Sequence, residues 1–199
     1  MATKTIGQLP LISTFSGDTL IPVQASGVTY HTTFSDMNIN FGGGWARYDD
    51  GQYTSGSPLT VTADTASIVL PNNGATTIET FMNSTKAFYD PTTQKIQMQN
   101  VGDVYSMVVV FKAQSSNVSQ AHFDISLSGI GPTPYDRVSN TFLFAKGNDT
   151  PQNFYLSFHF YGDEDFVTNG NQWTITCTGA DVLIFDVIYF IQRTYRNLI

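Results

Sequence analysis

The run "NFYLSFHFYG" (Asn153–Gly162) decides the fold. Phe154, Leu156, Phe158 and Phe160 fall on one side of an extended chain. Tyr155, Ser157, His159 and Tyr161 fall on the other. Successive side chains of a strand point to opposite faces, so a period of two marks a strand with one buried face. A helix would scatter the same four apolar residues around its axis.

The period recurs outward from this run. "AHFDISLSGIG" (121–131) puts Phe123, Ile125 and Leu127 on one face and His122, Asp124 and Ser126 on the other. "KIQMQNV" (95–101) sets Ile96 and Met98 against Gln97 and Gln99, and "QWTITCTG" (172–179) aligns Trp173, Ile175 and Cys177. "SPLTVTADTASIVLP" (57–71) alternates in patches, and "TFLFAKG" (141–147) adds a further run. "YSMVVVFKAQ" (105–114) is continuously apolar and predicts a strand buried on both sides. Between these runs stand turn residues: "DDG", "PNNG", "DPTT", "GPTP", "GND" and "TNGN". Short strands with turns at this spacing predict an all-β chain, a jelly-roll-like antiparallel β-sandwich. The one stretch read as helical is "TTIETFMNS" (76–84).

In "DVLIFDVIYFIQR" (181–193), strict alternation leaves both faces apolar. Val182, Ile184, Ile188 and Phe190 share one face; Leu183, Phe185, Val187, Tyr189 and Ile191 share the other. A sandwich strand usually keeps one face wet. The second set is therefore expected to form an oligomer interface. Asp186 would then need a partner, with Arg193 and Arg196 the nearest cations in sequence.

Composition narrows the function. Only 13% of the 199 residues are charged, about half the usual share, and the net charge is −7 with 9 Lys plus Arg. No basic run exists to neutralise phosphates, so nucleic acid is not an expected partner. No stretch reaches the ~20 apolar residues of a membrane helix, and no membrane role or secretion signal is expected. The single cysteine, Cys177, excludes an intramolecular disulfide and reads as a small buried hydrophobe.

The search for chemistry yields no catalytic residues, no metal ligands and no cofactor site. His31, His122 and His159 show no metal-ligand spacing, and no GxSxG elbow is present. "GDEDF" (162–166) lacks the EF-hand pattern and reads as a solvated acidic turn. The tyrosines Tyr30, Tyr48, Tyr53, Tyr89, Tyr105, Tyr135, Tyr155 and Tyr161 suit either glycan stacking or protein docking. No carboxylate pair stands out for glycoside hydrolysis.

The N-terminal segment differs from the rest. "IGQLPLISTFSGDTLIPVQASGVTYHTTFSDM" (Ile6–Met37) has too few apolar residues for a core of its own. "DTLIPVQ" and "VTYHTTF" read as two short strands joined by "ASG". The triple glycine Gly42–Gly44 reads as a flexible joint. The expected division is an attachment arm over residues 1–44 and an oligomerisation sandwich over 45–199.

The arm resembles a module at the N-terminus of many tailed-phage structural proteins, among them fibres, spikes and capsid-surface proteins. The likeness rests on Ile6, Leu9, Pro10, Gly17, Asp18, Leu20, Ile21, Pro22, Val23, Gly27, Thr29, Ser35, Asp36 and Met37. It spans about a sixth of the chain. "VIYFIQRTYRN" (187–197) is similar to the last strand of phage jelly-roll domains, which commonly trimerise. The resemblance implies a virion protein, assembled in the host cytoplasm, whose arm residues Ile6, Leu9, Pro10, Asp18, Leu20, Ile21, Pro22 and Val23 tether it to the particle. The implied partners are the major capsid protein and two further copies in a homotrimer. A capsid decoration, or cement, role is the leading expectation. The alternative is a short head or tail fibre, seated on tail or portal proteins, that binds a host receptor or glycan.

Overall fold

The computed structural model describes residues 20–25, 28–33, 43–82, 84–116, 121–132, 134–144 and 150–197. The chain divides into two units, Met1–Gly42 and Gly43–Ile199. In the first, β1 (Leu20–Ala25) and β2 (Val28–Thr33) form an antiparallel hairpin with Leu20 opposite Thr33 and Ala25 opposite Val28. Of the arm residues, Leu20, Ile21, Pro22 and Val23 lie in β1; Ile6, Leu9, Pro10 and Asp18 lie outside the described residues.

The second unit is an all-β antiparallel sandwich. Its strands are β3 (Gly44–Asp49), β4 (Leu59–Val61), β5 (Ile68–Val69), β6 (Thr76–Ile78), β7 (Tyr89–Asp90), β8 (Lys95–Ile96) and β9 (Val104–Ser115). They continue with β10 (His122–Gly129), β11 (Asp136–Leu143), β12 (Gln152–Tyr161), β13 (Asn171–Thr178) and β14 (Val182–Tyr195). One sheet runs β11-β10-β13-β8-β7, with β5 also on β13. The other runs β12-β9-β14-β3-β6, with β4 also on β14. We call them sheet I and sheet II.

The core forms where the inward faces meet. Phe123, Ile125 and Leu127 of β10 and Trp173, Ile175 and Cys177 of β13 are buried, as their alternation predicts. From β12, Phe154, Leu156 and Phe160 join them, and Phe158 packs half-buried against Trp173. The Cys177 thiol donates to the Val61 carbonyl at 3.0 Å, and burial pushes its pKa up. β9 alternates strictly: Tyr105, Met107, Val109, Phe111 and Ala113 are buried, while Val108 and Val110 are half-buried. The expectation of a strand buried on both sides is corrected. Its valine run gives the outer face apolar character without covering it.

The two-faced reading of the last strand is also resolved. On β14, Phe185 pairs with Lys112 and Ile188 with Val110. Two residues, Asp186 and Val187, therefore stand opposite one, Phe111. This is a β-bulge. Asp186 takes φ 56°. The bulge reverses the phase of the strand. Val182 and Ile184 face the core before it; Val187, Tyr189 and Ile191 face the same core after it. Three of the five residues expected at an oligomer interface are thus core residues of this chain. Phe185 is buried outside the core cluster, and Leu183 is half-buried.

The bulge is tied from one side. The Asp186 amide donates to the Tyr53 carbonyl at 3.1 Å, and the Asp50 amide donates to the Val187 carbonyl at 2.8 Å. The Asn72 side-chain amide, fully buried, donates to the carbonyls of Tyr48 at 2.9 Å and Val187 at 3.2 Å. Asp186 itself is no buried charge. It pairs with Lys112 at 3.0 Å, both side chains about half exposed, rather than with Arg193 or Arg196. Such a surface pair contributes about 0–1 kcal/mol.

Three local expectations change. "TTIETFMNS" begins with β6 and continues as a turn; Ile78 pairs with Arg47 of β3. β6 continues an existing sheet, which outweighs a weak helical pattern. "GDEDF" opens a helix, α1 (Glu164–Asn169). Asp163 caps it by accepting from the Phe166 amide at 2.8 Å, and Gly170 closes it at φ 76°. Gly44 belongs to β3, where a Cβ would stand 2.2 Å from the Met82 carbonyl oxygen. That glycine is required by close backbone approach, not by flexibility.

Ile191 is fully buried on a central strand. Ile191→Ala should lower unfolding free energy by about 2–5 kcal/mol with an unchanged m-value in urea. Ile191→Asp should abolish the cooperative transition; a folded protein with native stability would contradict the core placement.

Candidate functional site

Among the described residues no group of His, Cys, Asp or Glu is placed to hold a metal ion. The candidate sites are the two outer sheet faces and the corner where α1 begins.

The outer face of sheet II is apolar over its middle. Ser157, Val108, Phe190, Arg47 and Ile78 form one row across five strands. Tyr155, Val110, Ile188 and Asp49 form the next. Trp45 stacks between Phe81, at 4.9 Å between ring centroids, and Phe190, at 5.4 Å. Phe81 is 53% exposed and Tyr155 64%. The charges near this patch pair locally, Arg47 with Asp49 at 2.7 Å and Lys112 with Asp186.

The outer face of sheet I is its opposite, a field of short polar side chains. Asp124, Ser126 and Ser128 of β10 alternate outward. Thr141, Ser139 and Asp136 of β11 stand opposite them in order. On the other side Thr176 faces Asp124 and Thr174 faces Ser126. The hydroxyls are linked: Ser126 donates to Ser139 at 3.0 Å, Ser128 to Asp136 at 2.6 Å, Thr141 to Asp124, and Ser128 meets Thr174 at 3.2 Å. Short side chains between Ser67 and Tyr135 leave a groove of about 610 Å³.

At one end of this groove stands a clamp. Arg137 of β11, 7% exposed, makes a bidentate bond to Asp163, Nη1 to Oδ2 at 2.7 Å and Nη2 to Oδ1 at 2.8 Å. Its guanidinium lies 4.9 Å from the Phe166 ring centre and 4.7 Å from that of Tyr135. The Tyr135 hydroxyl donates to Asp163 Oδ2 at 2.8 Å. The guanidinium hydrogen bonds hold the Asp163 carboxyl well below the usual carboxylate range, against the opposing effect of burial.

The expected surface tyrosines divide. Tyr135, Tyr155 and Tyr161 are exposed. Tyr48, Tyr89 and Tyr105 are buried, with their hydroxyls occupied. Tyr48 donates to Glu79 at 2.6 Å, and Tyr89 meets Asn72 and Gln94 at 2.7 and 2.6 Å. Burial and the nearby Asp103 push the Tyr105 phenol up to about 12. His159 is exposed on β12 and His122 half-buried on β10. Tyr30 and His31 lie in β2. Arg193 is buried against Asp103 at 3.9 Å and donates to Gln99 at 3.1 Å. The hydroxyl field was visible in the alternation of β10. The clamp was not, because it joins residues 26 positions apart.

The clamp generates a pH dependence. A carboxyl whose pKa falls on folding adds stability that is fully present above its unfolded value, near 3.9, and is lost as pH drops through the lower folded value. Arg137→Met should cost about 2–3 kcal/mol at pH 7. The gap to the wild type should narrow below about pH 4 in denaturant titrations. A gap of equal size at pH 7 and pH 2.5 would mean the contribution is packing, not ionic.

No protein-family model and no curated protein matches the chain. Among solved structures it is similar to Eiger TNF from S. frugiperda, 10% identical, with a TM-score of 0.50 over 78% of this chain and 94% of that one. It is also similar to the PRD1 vertex protein P5, 11% identical, with a TM-score of 0.48 over 98% and 91%. The globular domain of zebrafish complement 1qA protein is 11% identical, with a TM-score of 0.45 over 77% and 99%. At 10% identity the likeness to Eiger TNF is one of fold, and the chain is an all-β, jelly-roll-like sandwich.

Proposed function

We propose that this chain is a non-enzymatic structural protein of a phage particle, a trimeric capsid decoration protein that binds the major capsid protein and stabilises the shell. The observation that carries the reading is the N-terminal segment. Its ordered motif from Ile6 to Met37 resembles virion attachment modules, and its β1–β2 hairpin belongs to a unit separate from the sandwich. A two-stranded hairpin is at best marginal by itself and gains stability by adding to a partner's surface.

The low charge content supports a surface meant to be covered by protein, because few charges need desolvating. The Trp45–Phe81–Phe190 stack supports contact between copies through sheet II. This face takes the role first assigned to Val187, Tyr189 and Ile191. Mechanically, a trimer that grips several shell subunits makes their separation depend on breaking several contacts together.

Quantitative mass spectrometry of particles should find this protein at a copy number comparable to the shell protein. A far smaller number would replace decoration by a fibre or tail role. Removal of residues 1–42 should abolish particle binding while leaving a folded, oligomeric sandwich. Phe190→Asp should shift the sandwich to a monomer in sedimentation with its fold retained; an unchanged oligomer would remove sheet II from the interface.

A further inference from the structure

We infer that the groove on sheet I binds a neutral carbohydrate, a hexose or N-acetylhexosamine oligosaccharide, with Tyr135 as its stacking platform. The inference does not rest on the decoration reading; it holds for a chain on the shell or on the tail.

The volume, about 610 Å³, lies within the ~300–1,000 Å³ range of small-molecule sites. Its floor offers what sugar hydroxyls need. Ser126, Ser128 and Thr174 carry hydroxyls, groups that both donate and accept; Ser126 is oriented by Ser139, and Ser128 and Thr174 by each other. Asp124 and Asp136 each use Oδ1 on a neighbouring hydroxyl, which leaves Oδ2 to accept from a diol. Carboxylates accept hydrogen bonds more strongly than neutral oxygens do.

At the rim, Tyr135 is 48% exposed yet fixed at two points. Its hydroxyl is held by Asp163, and its ring packs on the Arg137 guanidinium. An exposed ring that is already immobile loses little entropy on stacking against a sugar's apolar face. Arg137 is engaged with Asp163, and no Lys or Arg is among the described residues that line the groove. The two acids therefore repel anionic glycans and leave neutral ones as the ligand class.

The full-length protein would be applied to an array of neutral hexose and N-acetylhexosamine oligosaccharides alongside sialylated and sulfated ones. The best neutral binder would then be titrated calorimetrically. Neutral glycans should bind, and Tyr135→Ala should weaken them about tenfold. Ser139→Trp, which fills the groove from an exposed position, should abolish binding. Tyr195→Ala, at an exposed ring on the last residue of β14, should change nothing. Melting curves would confirm that each variant is folded, and either groove variant alone suffices if the other is not. Absence of neutral binding, binding confined to anionic glycans, or neutral binding untouched by the folded groove variants would each overturn the inference.

Discussion

The bulge at Asp186–Val187 is the constraint on which the sandwich depends. β14 is the longest of the described strands and lies at the centre of sheet II, between β9 and β3. A strand of that length with one uninterrupted phase would send one of its two apolar sets outward. The bulge inserts one residue and lets part of each set face the same core, Val182 and Ile184 from one and Val187, Tyr189 and Ile191 from the other. A left-handed backbone costs a non-glycine residue free energy, but aspartate tolerates it better than most. Asn72 and the Asp50–Tyr53 turn offset that cost by satisfying the backbone groups the bulge displaces.

From that phase shift follows the division of labour between the sheets. Tyr189 turns inward, donates to the Leu70 carbonyl at 2.9 Å and meets Tyr89 edge-on at 5.1 Å. Ile188 and Phe190 turn outward and complete the apolar patch with Trp45. Sheet I has no such interruption on β13, whose outward residues Gln172, Thr174, Thr176 and Thr178 are all polar. The sandwich thus carries one face suited to protein and one suited to a hydroxylated ligand.

The fold was legible because its signal is local. Phe123, Ile125 and Leu127, or Trp173, Ile175 and Cys177, announce their strand by spacing alone. The bulge was not legible, because "LIFDVIYF" reads the same with or without an extra residue; only the pairing to Lys112 and Val110 fixes the count. The helix at Glu164 escaped notice because six residues are too few for a periodic pattern. Its cap was nevertheless written in the sequence, as Asp163 three residues before Phe166. Of the candidate sites, the outward Asp124 and Ser126 were readable from β10. The Tyr135–Arg137–Asp163 clamp required the fold to bring β11 to the helix.

The position of β14 also sets an order of folding. The hairpin of β1 and β2 pairs residues that are neighbours in sequence, so it can form as soon as Thr33 has been made. Sheet II has no such freedom: β3 and β9 have no central partner until residues 182–195 exist. During synthesis, β3 must wait for a strand some 140 residues downstream. A chain cut before β14 would therefore hold both partners of the β1–β2 pair but a sheet II that has no middle. Interrupted synthesis would yield no half-competent sandwich, and only chains extended through β14 would carry the sheet II face.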